Sequence, residues 1–147
     1  MAEIRRTISF NAPIGRVWAY ITDSEKIARW LMPNDFLPTD GHAFKMDCPP
    51  GVGSGAPVTC QIRQIAPPSD GRARLSYTWT IDQPLTETLL TIDLHERDGT
   101  TTMDLVHSGW NDMNAAGRAL LDRHGDGWTM LLNQALRPLV ERELESP

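Results

Sequence analysis

Between residues 58 and 108 the chain sets four strand-type runs in close succession, VTCQIRQI (58–65), ARLSYTWT (73–80), TLLTIDLH (88–95) and TTMDLVHS (101–108). The short segments between them, 66–72, 81–87 and 96–100, carry the turn-forming APPSDGR, DQP and ERDG. Connectors this short, built from Pro, Gly and Asp, cannot carry a crossover helix, so the runs must form an antiparallel meander. Alternation puts Leu75, Tyr77 and Trp79 on one face of it, with Leu90, Ile92 and Leu94, then Met103, Leu105 and His107. The other face carries Ser76, Thr78, Thr91, Asp93, Thr102 and Asp104, which predicts one covered side and one wet side.

The cover is predicted at the C-terminus. Leu120, His124, Trp128, Leu131, Ala135 and Leu139 recur every three or four residues, and Leu121, Leu132 and Leu136 widen the stripe. This pattern predicts one long helix from about Asp112 to about Glu143, with any bend near Gly125 and Gly127. Ahead of the meander, EIRRTISF (3–10) alternates as a first strand with Ile4, Ile8 and Phe10 on one face, interrupted by Arg6. Asn11 caps and Pro13 opens a helix carrying Ile14, Val17, Trp18 and Ile21. Asp23 caps a second short helix with Ile27, Trp30 and Leu31, ended by Pro33. GHAFKMD (41–47) reads as a strand with His42, Phe44 and Met46 on one side. The glycine-rich PPGVGSGAP that follows is a connector, because a phosphate loop would need a helix and a Lys-Ser/Thr pair where Pro57 and a β-branched strand stand.

At 147 residues with 40% hydrophobic and 22% charged side chains, the chain is sized for one domain spanning 1–147. A net charge of −5 argues against nucleic acid or an anionic membrane as partner, and Arg5-Arg6 reads as part of a solvated face. The N-terminus lacks the apolar stretch of a signal peptide and no run is long enough to cross a bilayer, so the expected location is cytoplasmic. Cys48 and Cys60 form no C-x-x-C pair and read as small structural side chains.

Two echoes stand out, HSGW (107–110) and HGDGW (124–128), each setting a histidine just before a Gly-Trp pair. A zinc site needs three or four ligands, and neither histidine has an H-x-x-x-H, C-x-x-C or H-x-H companion, so no metal and no other cofactor is expected. General acid-base chemistry needs a titratable pair, and the inner face offers His107, His124 and Tyr77 but no carboxylate. Nucleophilic catalysis has no G-x-S-x-G or Ser-His-Asp arrangement to support it. A buried imidazole must be hydrogen-bonded, either by a partner in the fold such as a backbone carbonyl or Tyr77, or by a ligand's polar group. His124 and Trp128, four apart, share a helix face, where Trp128 is both core anchor and cavity wall. A one-residue slip of the last strand would send His107 to solvent.

The order strand, two short helices, meander and long helix resembles the helix-grip fold of the START, birch-pollen-allergen and polyketide-cyclase superfamily, an α+β class in which a curved sheet of about six strands wraps a C-terminal helix. More narrowly, ISFNAPIGRVWAYITDSEKIARWLMP, RLSYTW, HSGW and HGDGWTMLLNQAL resemble the branch related to the activator of the heat-shock protein 90 ATPase. In the eukaryotic activators a separate N-terminal domain makes part of the chaperone contact, whereas here the first strand pattern begins at residue 3. The resemblance implies a cavity between sheet and helix that accepts an apolar or aromatic small molecule. Its expected lining is Trp30, Phe44, Tyr77, Trp79, Leu90, Ile92, Met103, Leu105, Trp110, Trp128 and Leu132, with His107 and His124 as polar groups. The alternatives are a cyclase-type enzyme using His107 with Tyr77 or His124, and a chaperone-assisting domain. A chaperone and a second copy of the chain are the candidate protein partners.

Overall fold

The computed structural model describes residues 2–47, 57–81, 86–110 and 115–142. Six strands, β1 (Ala2–Phe10), β2 (Ala43–Met46), β3 (Val58–Ser69), β4 (Arg72–Ile81), β5 (Thr86–Arg97) and β6 (Thr100–Trp110), form one sheet in the order β1-β6-β5-β4-β3-β2. All neighbours are antiparallel. The expected meander is β3 to β6, and β1 returns to lie along β6. Two of its turns are set by Asp-Gly pairs. Asp70-Gly71 and Asp98-Gly99 take φ of 52° and 72°, and of 53° and 80°, the left-handed pair that matches a two-residue hairpin to strand twist. The β3 strand runs further than its apolar pattern, through Ala66-Pro67-Pro68-Ser69, a stretch expected as connector. A register shift between Ala66 and Ser69 absorbs the two prolines, which cannot donate to the ladder.

The inner face is as the alternation predicts: Ile4, Ile8, Phe10, Leu75, Tyr77, Trp79, Leu90, Ile92, Leu94, Met103, Leu105 and His107 are buried. The outer face is less uniformly wet than expected. Asp93 there pairs with Arg74 and Asp104 accepts from Thr7, but Ser76 and Thr78 are buried. Thr78 Oγ1 takes the Gln61 N–H at 2.8 Å, beside a second register shift in β3, and Ser76 bonds Thr91.

Helices α1 (Ile14–Thr22) and α2 (Ser24–Trp30) follow β1. Asp23 caps α2 as predicted, accepting the Glu25 and Lys26 N–H groups. Asn11 does not cap α1. Pro13 occupies that position without a side-chain bond, and Glu96 of β5 reaches over to accept the Ile14 N–H at 2.7 Å. The C-terminal segment is helical through α3 (Ala115–Met130), a π-helical stretch Leu131–Leu136 and α4 (Arg137–Arg142). The departure from α geometry therefore lies at 131–136 and not at the two glycines, where a bend was expected. Among the described residues, the buried hydrophobic side chains of this segment are Trp128, Leu132, Leu136 and Val140. The expected helix limits Asp112 and Glu143, the side chain of Leu120, Cys48 and most of the glycine-rich connector lie outside the described residues.

Candidate functional site

His107 sits on β6 with no exposed surface. Thr88 of β5 donates its one hydroxyl proton to Trp79 O at 2.7 Å, so in its 2.7 Å contact with His107 Nε2 the histidine must be the donor. On the other side the Trp128 indole N–H donates to His107 Nδ1 at 3.1 Å. Both ring nitrogens are thus satisfied inside the fold, in the neutral Nε2–H form. Burial, with His124 adding, pulls its pKa down to about 3. The in-fold partners are Thr88 and Trp128, not Tyr77 or a carbonyl as the sequence suggested.

The rest of HSGW follows from one glycine. Strict alternation would turn Trp110 outward, like Ser108. Instead the register slips between Glu3, opposite Ser108, and Ala2, opposite Trp110, and Gly109 takes φ +92° as the extra residue of a bulge. Trp110 is thereby rotated inward to 1% exposure and its indole N–H bonds the His107 carbonyl at 3.1 Å. A Cβ on Gly109 would stand 3.3 Å from the Thr88 Cα. Gly109 thus lies within β6 and reorients a side chain there.

In HGDGW, the half-buried His124 ring lies 5.0 Å from Trp110, 5.7 Å from His107 and 6.1 Å from Trp79, centroid to centroid. Gly125 has a different task. Its carbonyl accepts from Arg6 Nη2 and from Thr129 Oγ1, both at 3.1 Å, while Arg6 Nε donates to Thr129 Oγ1 at 2.9 Å. A Cβ there would meet Arg6 Nη2 at 3.1 Å. Arg6 therefore points at the helix and ties β1 to α3, which corrects its reading as part of a solvated face.

The predicted lining divides into two groups. Trp30, Trp79, His107, Trp110, His124 and Trp128 form one ring cluster between sheet and helix, with Trp128 at 6.5 Å from Trp30 and 5.5 Å from Trp79. Phe44 and Tyr77 belong to another, edge-on at 5.1 Å, closed by Phe36. His42, half-buried, stacks on Phe44. In the ladder Tyr77 lies opposite Leu90, and Leu90 opposite His107. Two strand spacings, about 10 Å, and a leucine thus separate the tyrosine from the histidine. Leu90, Ile92, Met103, Leu105 and Leu132 are buried apolar packing around these rings. Thr88, Phe36 and Arg6 were missed. Thr88 shares the phase of Leu90 and could have been found by extending the alternation; Phe36 lies outside any periodic segment.

Burial raises the Tyr77 hydroxyl well above its ordinary pKa, and raises the Cys60 thiol with help from Asp35, so both stay protonated at neutral pH. Among the described residues no group of three His, Cys, Asp or Glu is placed to hold a metal ion, and no helix is long and apolar enough to cross a membrane. A depression of about 330 Å3 is lined by Arg63, Thr78, Glu87, Thr88, Leu89 and Gly109. Thr78, Glu87 and Leu89 are out of phase with the inner face, so it opens on the far side of the sheet from the ring cluster.

Similar architecture is found in an X-ray structure of a Mesorhizobium loti protein, 22% identical, covering 98% of this chain and 97% of that one with a TM-score of 0.78. The Aha1 dimer of Colwellia psychrerythraea, 14% identical, covers 96% and 97% with a TM-score of 0.76. A Bacillus halodurans protein known from a solution structure is 32% identical over 96% of this chain and 98% of its own, with a TM-score of 0.76. Among curated proteins none matches. The model of the Activator of Hsp90 ATPase homolog 1-like protein family matches residues 11–141, and the chain belongs to that family.

Proposed function

We propose that this domain binds an apolar or aromatic small molecule between its sheet and its C-terminal helix, as a cytoplasmic carrier or sensor rather than a catalyst. The observation that carries this reading is the gathering of Trp30, Trp79, Trp110 and Trp128 with His107 and His124 into one cluster on the inner face. A flat molecule entering beside such rings gains both burial and edge or face contacts. His107 serves here as the pin that fixes Trp128, Trp110 and Thr88 in place. General-base work would need a pKa near neutrality and a free nitrogen, and His107 has neither. A thermal-shift survey of aromatic and apolar metabolites tests the reading. Saturable stabilisation by one chemical class supports it, and none across the survey contradicts it.

The family's name favours a second reading, assistance of a heat-shock protein 90 ATPase. Stimulation of that ATPase by the purified domain, unaffected by any bound small molecule, would favour it over the first. The Colwellia protein is a dimer, and self-association of this chain is proposed on that likeness, with sedimentation velocity as the check.

A further inference from the structure

Trp79 is the buried indole in the ring cluster whose N–H is left unbonded. Trp30 donates to Tyr20 O, Trp110 to His107 O and Trp128 to His107 Nδ1. Trp79 is 3% exposed, and its Nε1 atom is buried with no hydrogen-bond partner. Native folds rarely leave a buried donor unpaired, because the group loses water and gains nothing in exchange. Three acceptors of the cluster already have donors: Trp79 O takes the Thr88 hydroxyl, Thr88 Oγ1 the His107 Nε2–H, and His107 Nδ1 the Trp128 indole N–H. The other buried orphan donors among the described residues, Arg16 Nη1 and Arg137 Nε, belong to half-buried side chains. Trp79 instead stands in the middle of the cluster, 5.4 Å from His107, 5.5 Å from Trp128 and 6.1 Å from His124.

We infer that the Trp79 indole N–H is the polar contact of the ligand site, and that the ligand is a flat, largely apolar molecule bearing an acceptor oxygen, a carbonyl or an ether. The inference rests on the reading of the inner face as a ligand site, and narrows it: the residue that recognises the ligand's polar group is Trp79, where the sequence pointed to His107. A purely hydrocarbon ligand would leave the donor unpaired. A ligand offering only donors would face another donor.

The test uses 1-indanone and indane, which share a fused-ring frame and differ in one carbonyl, with wild-type protein and Trp79→Phe. The Trp79 side-chain N–H signal, identified by its loss in the variant, should move downfield in 15N–1H NMR with 1-indanone and stay in place with indane. Trp79→Phe should weaken 1-indanone about tenfold, about 1.4 kcal/mol, and change indane by less than about twofold. Should Trp79→Phe fail to fold, the wild-type response, with the signal identified by sequential assignment, still decides. Binding of both probes with the Trp79 signal unmoved overturns the inference and leaves the ligand reading standing. Failure of both probes to bind overturns the ligand reading and this inference with it.

Discussion

Protonating His107 would place a hydrogen on Nδ1 directly against the hydrogen that Trp128 already donates to it. The unfolded chain has no such obstacle and titrates near the ordinary histidine value of about 6.5, while the folded value is about 3. Between these two the unfolded state holds more protons. The contribution of His107 is therefore complete above pH 6.5 and lost progressively as pH falls toward 3, with a slope of at most about 1.4 kcal/mol per pH unit. Urea midpoints measured from pH 7 to pH 4.5 should fall more steeply for wild type than for His107→Gln; parallel curves would mean that the neutral pin is not titrating. Thr88→Val keeps the shape at that position but strands the His107 Nε2–H, and should cost about 1–3 kcal/mol. Thr88→Ser should recover most of it, and equal losses for the two would contradict the hydrogen-bond account.

The glycines of the two echoed motifs make predictions of opposite sign for the elements they sit in. Gly109→Ala must hold φ +92° with its Cβ pressed on the Thr88 backbone, so it should destabilise by more than about 1 kcal/mol and release Trp110, visible as a change in tryptophan fluorescence. Gly127 lies in α3 with open space where a Cβ would go, so Gly127→Ala should stabilise by about 0.5–1 kcal/mol. Both are read from denaturation midpoints. The strands themselves were legible because a half-buried sheet has period two, and Leu75, Leu90 and Leu105 fall on one face by counting alone. Trp110 was not legible in that way, since a bulge resets the phase. Arg6 was illegible for another reason: its partners Gly125 and Thr129 are more than a hundred residues away, and local pattern makes an arginine in a strand look like surface.

At the scale of the molecule, the order of elements was enough to anticipate a sheet closed by a C-terminal helix, because short connectors force antiparallel neighbours and an apolar stripe must be covered. The candidate site was only half legible. Sequence could collect aromatic residues on the inner face, but the split of Tyr77 and Phe44 from the tryptophan cluster depends on which strand separates them. The central claim, that the inner face is a small-molecule site, is tested most directly by native mass spectrometry of the purified protein after incubation with a metabolite extract of the cells that make it. The account predicts a stoichiometric adduct, lost on denaturation and identified as a flat molecule with an acceptor oxygen; the bare chain mass alone would contradict it.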